Sequence, residues 1–150
     1  NEIDEGTWNE SLDTNLKAPA FCALKSAPLI HESGGGHILN MADWAGMRPY
    51  RNYLPYMVSK GGLITLTRTL ALELAPKIHV NAIAPGTVLP PEDMHDNEKY
   101  EITKNIPLKR LGTPGDITNA VGFILESGDF ITGQVLCIDG GRWCANAPRA

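Results

Sequence analysis

Several things are scarce in this 150-residue chain, and each scarcity excludes something. There are three cysteines, Cys22, Cys137 and Cys144, and none stands at a paired spacing. A disulfide framework is therefore not expected, and the thiols fit a reduced, cytoplasmic setting. No apolar run approaches the roughly 20 residues that a bilayer-spanning helix needs, so no membrane partner is expected. No signal-peptide pattern opens the chain. Excess positive charge is missing too: thirteen Lys and Arg against seventeen Asp and Glu give a net charge of −4. That balance argues against nucleic acid as a partner. His31, His37, His79 and His95 are scattered, with no His-x-x-x-His or Cys-x-x-Cys, so no metal site is expected. No Gly-x-Ser-x-Gly elbow points to a hydrolase. What remains is ordinary globular composition, 43% hydrophobic and 20% charged, in a chain long enough for one domain with a core.

Apolar spacing predicts a helix from Thr7 to Ile30, strained or kinked by Pro19. Gly34 to Gly36 follow that helix and precede an apolar run. A phosphate loop has the opposite order, so these glycines read as a helix C-terminal turn. His37 to Ala42 reads as a strand, Asp43 to Arg51 as a loop, and Tyr56 to Ala75 as a helix with Pro55 in its first turn. Leu63, Leu66, Leu70 and Leu74 form that helix's apolar stripe. Gly61 and Gly62 inside it imply close approach of a ligand or a second helix. Ile78 to Ala84 is a second strand and Asp96 to Lys104 a short helix. Thr113 caps a helix that runs to about Glu126, with Pro114 at its first position, and Gln134 to Ile138 is a third strand. Alternation of this kind predicts an α/β fold with a parallel sheet and right-handed crossovers.

Tyr56 and Lys60 lie one turn apart on a helix and share a face. A phenol titrates near 10, and an adjacent ammonium stabilises the phenolate and lowers that value. Tyr56 then becomes able to pass a proton to or from a substrate. Taken alone, the spacing also fits an exposed Tyr and Lys on a helix surface.

The surroundings of this pair form a longer pattern. Asn40-Met41-Ala42-Asp43 precedes Tyr56-Met57-Val58-Ser59-Lys60. Glu73-Leu74-Ala75-Pro76 and Val80-Asn81-Ala82-Ile83-Ala84-Pro85-Gly86 follow. Arg110 to Pro114, Ile131-Thr132-Gly133-Gln134 and Ile138-Asp139-Gly140-Gly141 close it. In this order, from about Trp8 to Gly141, the chain resembles the short-chain dehydrogenase/reductase family.

The resemblance implies a doubly wound Rossmann-type parallel sheet and a soluble oxidoreductase, homodimeric or homotetrameric. It implies that Tyr56 is the acid–base residue and that Lys60 holds the nicotinamide ribose. Asn15 matches the helix asparagine that holds a water of the family's proton relay. Pro85, Gly86 and Thr87 match the turn that contacts the nicotinamide. The dimer expectation places the opening helix and the Tyr56 to Ala75 helix at the subunit contact, with Leu66 and Leu70 either outward-facing or ordinary core.

Two departures refine the resemblance. Asp43, thirteen residues before Tyr56, replaces the family's usual serine. In that respect the chain is similar to the pteridine reductase branch, which implies a pterin or folate substrate and NADPH, with NADH not excluded. A loop-capping carboxylate is the plainer reading of Asp43. The family's Gly-rich phosphate loop, its ribose selector and its Asn-Asn-Ala-Gly strand have no counterpart here. Residues 1–150 are therefore expected to be the C-terminal catalytic part of one domain, with three strands and flanking helices, and without the N-terminal nucleotide-binding half. Alternatives are a generic carbonyl or alcohol dehydrogenase acting on a small carbonyl substrate, and a non-catalytic fragment that acts through its dimer helices. Trp8, Trp44 and Trp143 read as core or interface aromatics, with a place in the substrate pocket open to Trp44.

Overall fold

The computed structural model describes residues 3–145. Its elements are α1 (Glu5–Leu12), a π-helical turn (Asp13–Lys17), α2 (Ala18–Glu32), β1 (Gly36–Met41) and a 3-10 turn (Trp44–Gly46). They continue with α3 (Leu54–Glu73), β2 (Ile78–Pro85), α4 (Asp96–Lys104), α5 (Pro114–Ser127) and β3 (Val135–Ile138). The three strands form a parallel sheet in the order β1-β2-β3. This is the expected Rossmann-type arrangement of three strands with flanking helices.

The central strand explains the layers. Alternate residues of a strand face opposite sides. Ile78, Val80, Ala82 and Ala84 point to one face, where Ala23 and Ala27 of α2 and Leu63, Ile64, Leu70 and Ala71 of α3 cover them. Ile83 points to the other face and packs on Ala120 and Ile124 of α5. Burial on both faces is why β2 is apolar apart from His79 and Asn81. Each fully buried Leu or Ile contributes about 1.5–3 kcal/mol.

Buried polar side chains join the elements. Asn40 of β1 donates to Thr67 Oγ1 on α3 at 2.9 Å, and both residues are buried. Asn81 of β2 donates to the Ile131 carbonyl at 2.8 Å, and its Oδ1 accepts from the Gln134 amide at 3.0 Å. Thr132 Oγ1 accepts from the Val80 amide, and Gly133, at φ +72°, donates its amide to the Val80 carbonyl. The Ile131-Thr132-Gly133-Gln134 stretch thus braces the entry of β3 against β2.

The opening helix differs from its expected form. The helix runs on through a π turn just before Pro19, which sits in the first turn of α2 and has no amide to bond back into that turn. Gly34 and Gly35 do end α2, both with positive φ, and a Cβ at Gly35 would collide with the Lys77 carbonyl. Gly62 lets Leu16 of the π turn lie against α3, and Gly61 meets the Gly46 carbonyl, so both helix glycines serve close packing of other chain segments. Leu70 is core at 5% exposure, and Leu66, partly buried, packs on that core. The apolar residues that do face outward on α2 and α3 include Phe21, Leu24, Leu29 and Leu72. Among the described residues no helix is long and apolar enough to cross a membrane.

Candidate active site

β1 and β2 end side by side, and the chain beyond each end carries the candidate residues. Asp43 leaves β1 in extended backbone, and its Oδ1 accepts from the Ala45 amide at 2.8 Å, which caps the 3-10 turn. Its Oδ2 accepts from the Tyr56 hydroxyl at 2.6 Å. Asp43 is therefore a loop cap with one oxygen and a partner of the candidate acid–base residue with the other. Pro55 starts α3 and sets Tyr56 in its first turn, over the end of β1. Lys60, one turn later, donates its Nζ to the Met41 carbonyl at 3.0 Å and lies 5.7 Å from the centre of the Tyr56 ring.

The electrostatics correct one expectation. Lys60 does not lower the Tyr56 pKa. Burial pushes the phenol up, and the hydrogen bond and charge of the Asp43 carboxylate push it further. Lys60 sits beside the ring and spends itself on a backbone carbonyl, whereas the carboxylate touches the phenol oxygen directly. Lys60 is itself pushed down by burial, with Asp43 pulling it partly back. Tyr56 is thus a firmly protonated hydroxyl whose hydrogen already points at a carboxylate.

The Pro85-Gly86-Thr87 turn stands at the end of β2. A Cβ on Gly86 would lie 2.8 Å from Asp139 Cα, so only glycine lets this turn pass the turn after β3. The turn and its neighbours Val88 and Leu89 line a cleft of about 440 Å³, with Met41 on one side and Pro114, Ile117 and Thr118 on the other. Met41 joins the cleft to Lys60. The half-buried Lys60 ammonium has one protein acceptor and no carboxylate partner among the described residues, leaving donors for hydroxyl oxygens. An apolar cleft beside a cation with spare donors fits a nicotinamide ring and its ribose. Tyr56, Lys60, Pro85, Gly86 and Thr87 are the residues that would hold them.

Asn15 stands apart. It lies half-buried on the π turn, which packs against α3, and its side chain makes no hydrogen bond with the described residues. A π turn inside a helix is a common mark of a functional position. The structure brings Asp43, Tyr56 and Lys60 together and leaves Asn15 out of hydrogen-bond contact with them.

The sequence left a pocket place open to Trp44 but missed the partners that hold it. The Trp44 ring stacks on Tyr50 at 5.8 Å between centroids, with Tyr53 edge-on to Tyr50. The Arg142 guanidinium lies 4.7 Å from the centre of the Trp44 ring and donates to Thr87 Oγ1 at 2.7 Å. Arg48 ties down the same C-terminal segment by donating to the carbonyls of Arg142, Trp143 and Ala145. No spacing rule finds contacts between residues so far apart in the chain. His37 and His79, scattered in sequence, also meet: they pair in register across β1 and β2 with rings 5.0 Å apart, and both Nδ1 atoms are buried without a partner. No third metal-binding side chain joins them among the described residues.

Comparison with known proteins agrees with this geometry. A family model described as "Enoyl-(Acyl carrier protein) reductase" matches residues 1–142. Human "Dehydrogenase/reductase SDR family member 4" is 37% identical over 146 residues, covering 93% of this chain and 52% of the relative. A "3-oxoacyl-[acyl-carrier-protein] reductase FabG" of Staphylococcus epidermidis is 36% identical over 147 residues, covering 94% and 59%. Among solved structures, FolM alternative dihydrofolate reductase 1 from Brucella suis in complex with NADP superposes with a TM-score of 0.89 at 32% identity, covering 98% of this chain and 60% of that one. The chain spans little more than half the length of these relatives.

Proposed function

The chain belongs to the short-chain dehydrogenase/reductase family, and on that footing we propose that it carries the catalytic part of an NADP-dependent reductase acting on a pterin or dihydrofolate-type ring. The observation that carries this reading is the 2.6 Å hydrogen bond from Tyr56 to Asp43. A serine at position 43 can donate a hydrogen to a carbonyl at any pH, but a carboxylate donates only while protonated. An Asp–Tyr pair suits a substrate whose reduction needs a proton delivered to a ring nitrogen.

NADPH, when bound, supplies the hydride. The chain's residues manage the proton. In the resting pair Tyr56 is protonated and Asp43 accepts. Passing the Tyr56 proton to the substrate from that state leaves a phenolate beside a carboxylate, two like charges in contact. A pair holding one more proton, on Asp43, avoids this. Tyr56 gives its proton to the substrate nitrogen or oxygen, Asp43 gives its proton to the Tyr56 oxygen, and the pair returns to the arrangement seen here. Lys60 offsets the negative charge and holds ribose hydroxyls. Asn15, with an unspent amide on the π turn, orders the water that resupplies protons. Pro85, Gly86 and Thr87 form the wall against which the nicotinamide ring lies.

The same reading takes residues 1–150 as the C-terminal catalytic part of a single domain. β1 pairs with β2 on one edge and with no described strand on the other, where a nucleotide-binding half would continue the sheet. The outward apolar residues of α2 and α3 form a surface for a second copy, giving a dimer or tetramer. A second substrate reading, a plain carbonyl reductase, draws support from the identity with the 3-oxoacyl-[acyl-carrier-protein] reductase. Assaying the full-length protein with NADPH and either a dihydropterin or a small ketone separates the two. Preferential turnover of the pterin is expected. Turnover of the ketone alone contradicts the pteridine reading.

A further inference from the structure

We infer that Arg142 is a specificity-determining residue whose guanidinium receives a carboxylate of the substrate. This rests on the reading of Asp43 and Tyr56 as the reducing site, and it deepens it. Arg142 follows the Asp139-Gly140-Gly141 turn, where positive φ at both glycines folds the chain back over Ile106 and Pro107. The fold-back is fixed from both sides. Asp139 spends its carboxylate oxygens on the amides of Gly141 and Trp143, and Arg48 holds the carbonyls of residues 142, 143 and 145. The side chain is fixed as well, stacked over Trp44 and bonded to Thr87. Trp44 directly follows Asp43, and Thr87 belongs to the turn beside the cleft. The guanidinium therefore links the residue that follows Asp43 to the turn beside the cleft.

What it lacks among the described residues is an anion. Arg142 is half-buried and forms no ion pair with a described carboxylate. Asp139, three residues before it, is engaged with backbone amides, and Asp43, next to Trp44 in the chain, with Tyr56 and Ala45. Its charge is nonetheless felt at Tyr50, where it opposes the upward push on that phenol from burial and from Asp43. One guanidinium hydrogen bonds Thr87, and the remaining donors of the planar fork have no described side-chain acceptor. A fork held rigid before the ligand arrives matches a carboxylate in two-point geometry and loses little entropy on binding. The oxyanion has two possible sources, a substrate carboxylate or a cofactor phosphate. Contact with Trp44, beside the reacting pair, favours the substrate.

The test uses the full-length protein and ligand pairs that differ only in the carboxylate. These are folic acid and its dimethyl ester, and 4-carboxybenzaldehyde and its methyl ester. Binding in the presence of NADP is followed by tryptophan fluorescence, which needs no turnover. The acid of at least one pair is expected to bind at least about tenfold more tightly than its ester, the scale of one charge-assisted hydrogen bond. Arg142→Gln is expected to abolish that preference and Arg142→Lys to keep part of it. An acid-over-ester ratio near one in both pairs overturns the inference. So does a ratio that survives Arg142→Gln, or a loss that falls on NADPH affinity with acid and ester affected alike. A preference confined to the aldehyde pair, with neither folate bound, supports the Arg142 assignment while removing the pteridine substrate.

Discussion

Lys60 and Tyr56 share one face of α3, yet the Lys60 nitrogen donates to the Met41 carbonyl and the Tyr56 hydroxyl donates to Asp43. The cation is tethered to the end of β1, beside the phenol ring and not at its oxygen. Burial and the Asp43 carboxylate both push the phenol up, so Tyr56 holds its proton tightly.

Lys60 should be costly to stability while needed for activity. Burial lowers its pKa in the folded chain, so the unfolded chain binds the proton more strongly. Stability is then reduced at neutral pH and recovers as pH rises toward the ordinary Lys value of about 10.4. Lys60→Met is expected to show a Tm at or above wild type at pH 7, with the difference shrinking as pH rises, and to lose reductase activity. Thermal unfolding between pH 7 and 10 checks it.

Tyr56 has the opposite sign. Its folded pKa is raised, so its contribution is fully present below about 10 and is lost as pH rises through the folded value. Tyr56→Phe is expected to unfold with a weaker alkaline dependence above pH 10 than wild type. Equal alkaline slopes in urea melts count against an upward-shifted Tyr56 in the folded chain.

Gly46 should be more sensitive than Gly61. A Cβ at Gly46 lies 2.9 Å from the Lys60 carbonyl carbon, whereas one at Gly61 meets the Gly46 oxygen at an ordinary 3.4 Å. Gly46→Ala must lift the Trp44–Gly46 turn off α3, and Ala45 carries Asp43 with it. A loss of about 10- to 100-fold in kcat is expected from such a displacement. Gly61→Ala should stay within a few-fold of wild type. Steady-state kinetics on both variants decide this.

The buried amides should be expensive to remove. Asn81→Leu breaks two bonds to the entry of β3, and Thr67→Val strands the Asn40 amide. Each is expected to cost about 1–3 kcal/mol or more in urea unfolding, the penalty of an unmatched buried polar group. A midpoint unchanged in either variant contradicts the bracing role.

Local signals in the sequence carried most of the fold. α4 matches its expected bounds, and α5 is capped by Thr113 with a reciprocal bond to Asp116, because caps and periodicity act within a few residues. The π turn escaped because apolar periodicity does not distinguish a π turn from the α-helix on either side of it. Asp43, Tyr56 and Lys60 were legible as a set through the pattern around them, but the direction of the Tyr56 shift was not. It depends on how deeply the phenol is buried and on which charge touches its oxygen, and helix spacing reports neither. The joining of Arg142 to Thr87 and Trp44, and of His37 to His79, depends on how the strands and the fold-back align, so no sequence window contains it.

The most direct test of the account is kcat/KM for a dihydropterin measured against pH in wild type, Asp43→Asn and Asp43→Ser, with a small ketone as the comparison substrate. If Asp43 supplies the second proton, wild-type pterin reduction falls as pH rises. Asp43→Asn then loses that acidic limb along with about 100-fold or more of its rate, the scale of general acid catalysis, and Asp43→Ser loses pterin turnover more than ketone turnover. Superimposable profiles for wild type and Asp43→Asn on both substrates would make Asp43 a loop cap alone and contradict the account.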